Sequence, residues 1–215
     1  GIFRLIVLLG AGNGLIHAFE QSASERAMNS IKIFPGWTSK SYDGLKEGRR
    51  IRLDNKDLNT TNKNFPDHVI KAGATVYQGG VNLSFGPEYV NLNLSGVYPN
   101  HTEVEVVKLF KGRFINEIDI KERRKVIVLH KKTAEILFDK THTDPIGQFV
   151  NAGNVVYQVV GLYNDKGDSG DSDAYLPFTT LQTIYNKGDK LNNLIMTTKN
   201  CLLYTSPSPR DRSLS

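Results

Sequence analysis

GIFRLIVLLGAGNGLIHAF, residues 1–19, decides the fold, because two incompatible kinds of protein open on such text. One is a strand feeding a glycine turn that cradles a dinucleotide. That fingerprint needs G-x-G-x-x-G after the strand and an acidic residue about 20 positions further on, to hold the ribose. Gly10 and Gly12 fit, but Leu15 holds the third glycine position and Gly14 comes one residue early. The next strand-like run, 31–34, ends at Pro35 and Gly36 with no carboxylate. A soluble nucleotide-binding oxidoreductase using the turn at Gly10 and Gly14 is therefore the weaker alternative.

The other reading is the outer half of a membrane helix. Residues 2–19 carry one charge, Arg4, in an otherwise largely apolar run. A full span needs about 20 apolar residues, so apolar residues upstream would complete it. Gly10 and Gly14 form a small-xxx-small pair that lets helices approach closely. Arg4 costs free energy unless it reaches water or protein. Past the apolar run, Phe19, Ala23 and Ala27 recur at helical spacing while Glu20, Glu25 and Arg26 are polar. This predicts a helix emerging into water with one packed face. A signal-peptide core followed by a secreted binding module is a third possibility.

Composition bounds the rest. A chain of 215 residues with 39% hydrophobic residues can build one or two cores. A formal charge of +5, with both signs interspersed, gives no argument for nucleic acid. The run Lys121, Glu122, Arg123, Arg124, Lys125 reads as a solvated turn before an apolar strand. Cys201 is the only cysteine, so there is no disulfide framework. Asn59, Asn82, Asn93 and Asn100 each open an N-x-Ser/Thr triplet, read as chance in an asparagine-rich chain. From Cys201 onward, CLLYTSPSPRDRSLS has no periodicity and resembles translated sequencing-adapter read-through, so 201–215 is set apart from the fold. Without Arg210, Asp211 and Arg212 the formal charge is +4.

The middle of the chain alternates with period two. Val81, Leu83 and Phe85, then Val90, Leu92 and Leu94, flank Gly86 and Pro87, which predicts a hairpin. Residues 67–72 read as a short helix behind Pro66. A second unit begins near Gly112. Residues 126–129 read as a buried strand, 133–138 as a helix, and 148–150 and 155–162 as strands around the turn 151–154. Thr179 and Gln182 suggest a capping box, with Gly188 as a stop and 193–198 as a last strand. Strands and helices mix without strict alternation, which is α+β rather than doubly wound.

No catalytic constellation stands out. The five histidines lack metal-ligand spacing apart from the loose pair His130 and His142. There is no G-x-S-x-G elbow and no G-x-x-x-x-G-K-[ST] loop, so ATP is not expected to be hydrolysed by this chain. Asp165, Asp168, Asp171 and Asp173 depart from calcium-loop spacing and read as a solvated hairpin tip. Trp37 is expected in the core, with a partner anchor as the other reading. Neither a catalytic residue, nor a cofactor site, nor a metal site is assigned.

A string of segments then carries a resemblance: LLGAGNGL (8–15), PGWTSKSYDGLKEGRRIRL (35–53), LSGVYPN (94–100), KGRFINEIDIKERRKVIVL (111–129), DPIGQFV (144–150), YQVVGLY (157–163) and AYLPFTTLQ (174–182). Together they resemble the MacB-like periplasmic core domain of ABC transporter permeases, related to the FtsX-like permease group, from residue 1 to about 200. The resemblance implies a partial membrane helix (1–19) and two extracytoplasmic lobes, an α+β one (20–110), incomplete here, and a β-rich one (111–200). It implies a non-catalytic permease fragment in a bacterial inner membrane, its main domain in the periplasm. A separate cytoplasmic ABC ATPase, a periplasmic adaptor, a second permease copy and membrane lipid are the implied partners. His130 departs from the glycine that similar proteins often carry there, and no chemistry is placed on it.

Overall fold

The structure, a computed structural model, describes residues 30–37, 46–64, 69–105, 107–164 and 174–198. The apolar opening with its glycine turn, the helix expected after it, the acidic loop 165–173 and the segment 201–215 lie outside the described residues. Among the described residues no helix is long and apolar enough to cross a membrane.

The fold is α+β. In chain order the elements are β1 (Ser30–Ile33), β2 (Leu53–Asp54), α1 (Asn55–Asn64), β3 (Val69–Phe85), β4 (Glu88–Val97), α2 (His101–Val104), β5 (Lys108–Gly112) and α3 (Glu117–Glu122). They continue with β6 (Val126–His130), α4 (Lys131–Phe138), β7 (Phe149–Ala152), β8 (Val155–Asn164), β9 (Ala174–Pro177), α5 (Phe178–Ile184), β10 (Lys190–Leu191) and β11 (Asn193–Thr198).

Nine strands share one mixed sheet, and β2 pairs with β10 beside it. The expected hairpin is present. Val81 faces Leu92, Leu83 faces Val90, and the strands join through a two-residue turn in which Gly86 has a φ of 58°. β3 is long enough to serve two partners. Its first half pairs with β11, and after Thr75 it turns to β4. Its far end also meets β7. β4 runs parallel to β9, β9 meets β6, β6 runs parallel to β8, and β8 pairs with β7. The pairings β3, β4, β9, β6, β8, β7 therefore return to β3 as a closed circuit. Within this circuit the alternating residues face one core: Leu83, Leu94, Leu129, Tyr157 and Leu176 are fully buried.

Helices close the open faces of that core. Ala134, Leu137 and Phe138 form one stripe of α4, which packs on β3, β4, β6 and β8. Burying a leucine such as Leu137 contributes about 2 kcal/mol. The helix starts two residues before the expected position because His130 caps it, accepting the Lys132 N–H at 3.2 Å through Nδ1. On the other side α5 lays Phe178 and Leu181 against β3, β4 and β9.

Three local expectations are corrected. The helix expected over 67–72 is replaced, from Val69 on, by β3, where Lys71 and Ala72 pair with Thr197 and Met196. A ladder to β11 outweighs the weak helical preference of so short a segment. The capping box at Thr179 and Gln182 does not form, because Pro177 holds the N-cap position. The Thr179 hydroxyl donates to Ile120 O at 2.6 Å, and Gln182 instead reaches Asn55 and Lys190 O. That helix ends at Ile184, short of Gly188, with Tyr185 as its C-cap and Asn186 following at a φ of 50°. Third, Trp37 is 69% exposed rather than in the core. It belongs to an isolated bridge with Arg50, outside the strands that enclose the core.

Candidate interaction surface

The most strongly built polar site ties β5 to α3. Asp119 is completely buried, and Arg113 holds both its oxygens, at 2.6 and 3.1 Å. The carboxylate also accepts the Asn116 N–H at 3.0 Å, and Asn116 Oδ1 accepts the Asp119 N–H at 2.9 Å, a reciprocal capping box. Arg124 adds a second cation at 4.0 Å. Arg113 and Arg124 also line an open depression of about 570 Å³, while the buried carboxylate joins β5 to α3. Lys121, Arg123 and Lys125 remain exposed around it, as expected of a solvated turn.

Two histidines, His101 and His130, are buried in structural surroundings. His130 is buried with its ring edge against Tyr163, 5.1 Å between centroids. His101, at the start of α2, is 5% exposed and lies 5.1 Å from the Tyr175 ring. Burial, with a smaller contribution from Lys32, pushes its pKa down to about 3. Among the described residues no group of three or more His, Cys, Asp or Glu is placed to hold a metal ion. Asn100, in the fourth N-x-Ser/Thr triplet, is buried, so no glycan fits there, whereas Asn59, Asn82 and Asn93 are exposed.

A second feature lies at the far end of β1 and β11. A cleft of about 410 Å³ is lined by Pro35, Ile51, Tyr77 and four cations, Arg50, Arg52, Lys187 and Lys190. Beside it Phe34 is 65% exposed and Trp37 stands against Arg50. Three short pieces of backbone build it. Ile51 N–H donates to Gly36 O at 2.8 Å, β2 pairs with β10, and Asn192 Oδ1 accepts the Tyr77 N–H at 3.0 Å. Asp54 flanks the cleft but caps α1, accepting the N–H groups of Lys56 and Asp57 at 2.8 and 3.1 Å. Asp189 accepts from Asn55 Nδ2 at 3.2 Å. Sequence reasoning singled out only Trp37 here. The cations come from two segments about 135 residues apart, and the sequence signal available was the run Arg49, Arg50, Ile51, Arg52 beside an exposed-type Pro-Gly-Trp.

The family described as the MacB-like periplasmic core domain matches residues 1–200. Among curated proteins, the chain is similar to the macrolide export ATP-binding/permease protein MacB of Bartonella henselae, with 24% identity over 186 residues, covering 85% of this chain and 27% of that protein. The protein of the same description from Neisseria meningitidis is 27% identical over 185 residues, covering 84% and 28%. The chain thus spans little more than a quarter of these relatives. Among solved structures, the periplasmic region of MacB from Actinobacillus actinomycetemcomitans superposes with a TM-score of 0.67 at 22% identity, covering 83% of this chain and 78% of that one. The extracellular domain of the noncanonic ABC-type transporter YknZ from Gram-positive bacteria gives 0.62 at 21%, covering 79% and 84%. These likenesses establish a shared fold.

Proposed function

The chain belongs to the family of MacB-like periplasmic core domains, and from that premise we propose that it is the extracytoplasmic part of an ABC permease that passes ATPase-driven motion to events outside the inner membrane. One observation carries the reading. β1 and β11 pair antiparallel with Ser30 opposite Thr197, so the chain enters β1 and leaves β11 at the same end of the sheet. A domain set between two membrane segments needs that arrangement, since both connections must reach the same bilayer.

In this reading residues 1–19 form the outer part of a membrane helix in contact with lipid. A cytoplasmic ATPase binds and hydrolyses ATP. Two permease copies work together, and a periplasmic adaptor or the cargo meets the domain outside. The work is mechanical: two packings of the domain are biased by what happens below, and no catalytic side chain is required. The names of the curated relatives make a macrolide the first cargo to test.

The test is a glycine pair inserted between Phe19 and Ala23 in the complete permease. It should abolish macrolide resistance while ATPase association, measured by co-purification, persists. Undiminished resistance in that variant would refute transmission through this connection.

A further inference from the structure

We propose that the cationic cleft between β2, β10 and the 34–37 segment is a docking site for an acidic, extended segment of a protein partner, one carrying an aromatic or large apolar residue. The proposal rests on the permease reading only for the partner's location outside the membrane. Its chemistry rests on the cleft. Arg50, Arg52, Lys187 and Lys190 line one depression, and among the described residues no carboxylate lines it. None of the four makes an ion pair among the described residues, while the flanking Asp54 and Asp189 are engaged at the start of α1. Like charges gathered this closely repel one another, a cost that an anionic occupant removes.

Aromatic groups give the cleft a second preference. Tyr77 is 41% exposed in its wall, Trp37 is 69% exposed next to Arg50, and Ile51 is 43% exposed between the arginines. Exposed tryptophan, tyrosine and arginine together are the composition of protein-binding hot spots. A volume of about 410 Å³ takes a few residues of extended chain rather than a folded surface.

The same composition would suit an anionic lipid surface, but strand direction argues for a peptide. Ser30 and Thr197 lie at the end of β1 and β11 that leads to the flanking segments, and Ile33 pairs with Leu194 at the other. Pro35 and Asn192, which line the cleft, lie beyond that second end. The cleft therefore sits on the order of 10 Å further from the flanking segments than Ser30 does.

The experiment uses the full chain in phosphatidylcholine nanodiscs. The probe is a fluorescein-labelled peptide of alternating glutamate and serine around one phenylalanine, read by anisotropy. We expect saturable binding that weakens with added salt. The double variant Arg52→Ser, Lys190→Ser should weaken it by about tenfold or more. Trp37→Ala should weaken it by several fold, and Lys108→Ser, Lys121→Ser, which alters cations elsewhere, should leave it unchanged. Should the first double variant lose its native circular dichroism, Arg50→Ser, Lys187→Ser serves in its place. Absence of binding, equal binding of a lysine-substituted peptide, or full affinity in the cleft variants would overturn the proposal. So would preferential binding of phosphatidylglycerol vesicles over the peptide. None of these results would touch the permease reading, which the glycine insertion tests separately.

Discussion

Arg113 grips Asp119 through both guanidinium nitrogens, and the carboxylate it holds has no exposure to solvent. Removing the acid leaves Arg113 without its partner and the Asn116 N–H unsatisfied. Asp119→Ala is therefore expected to lower stability by about 2–3 kcal/mol, since the Arg113 left behind is partly hydrated. Asp119→Asn keeps the shape and should cost about half as much. Urea unfolding followed by circular dichroism measures both.

Gly161 faces Gly112 across β5 and β8, and the backbone strands approach closely there. A Cβ at Gly161 would press into the Arg113 carbonyl group, which is backbone and cannot swing aside. Gly161→Ala should cost about 3 kcal/mol and expose β5 to proteolysis. Thermal unfolding and limited trypsin digestion test it, with cleavage expected first at Lys108 or Lys111.

His101 ties stability to pH. Its folded-state pKa is depressed, first by burial and then by Lys32, to about 3, against an ordinary 6.5. Between these values the unfolded chain binds a proton that the folded chain refuses. The stabilisation is complete above about pH 6.5 and is lost as pH falls toward 3. From pH 7 to pH 5 the loss attributable to His101 should be about 2 kcal/mol. His101→Gln should flatten that part of the profile, as read from denaturant midpoints at each pH.

Trp37 and Phe178 should respond oppositely to truncation. Phe178 is 1% exposed beneath β4, and Phe178→Ala should cost about 3–5 kcal/mol. Trp37→Ala should stay within about 0.5 kcal/mol of the parent in the same melt.

Features set within one element were readable from the amino-acid sequence. Alternation identified the hairpin around Gly86, and the spacing of Ala134, Leu137 and Phe138 identified α4. What could not be read was competition between elements. Residues 69–72 have little strand pattern of their own, and only β11, more than 120 residues later, makes them a strand. Thr179 looked like a cap, but its hydroxyl found Ile120 O on another helix. The candidate site was hidden for the same reason: Arg52 and Lys190 become neighbours only because Leu53 pairs with Leu191.

The pairing of Ser30 with Thr197 also sets how the domain answers force. Spreading the two connections apart would peel β1 from β11 one rung at a time, like a zipper. Moving both together along their length would instead slide β11 against β3, loading all of that ladder at once. By strand geometry alone, the β1–β11 pair yields rung by rung to lateral separation, whereas displacement along the strands is resisted by the whole β11–β3 ladder.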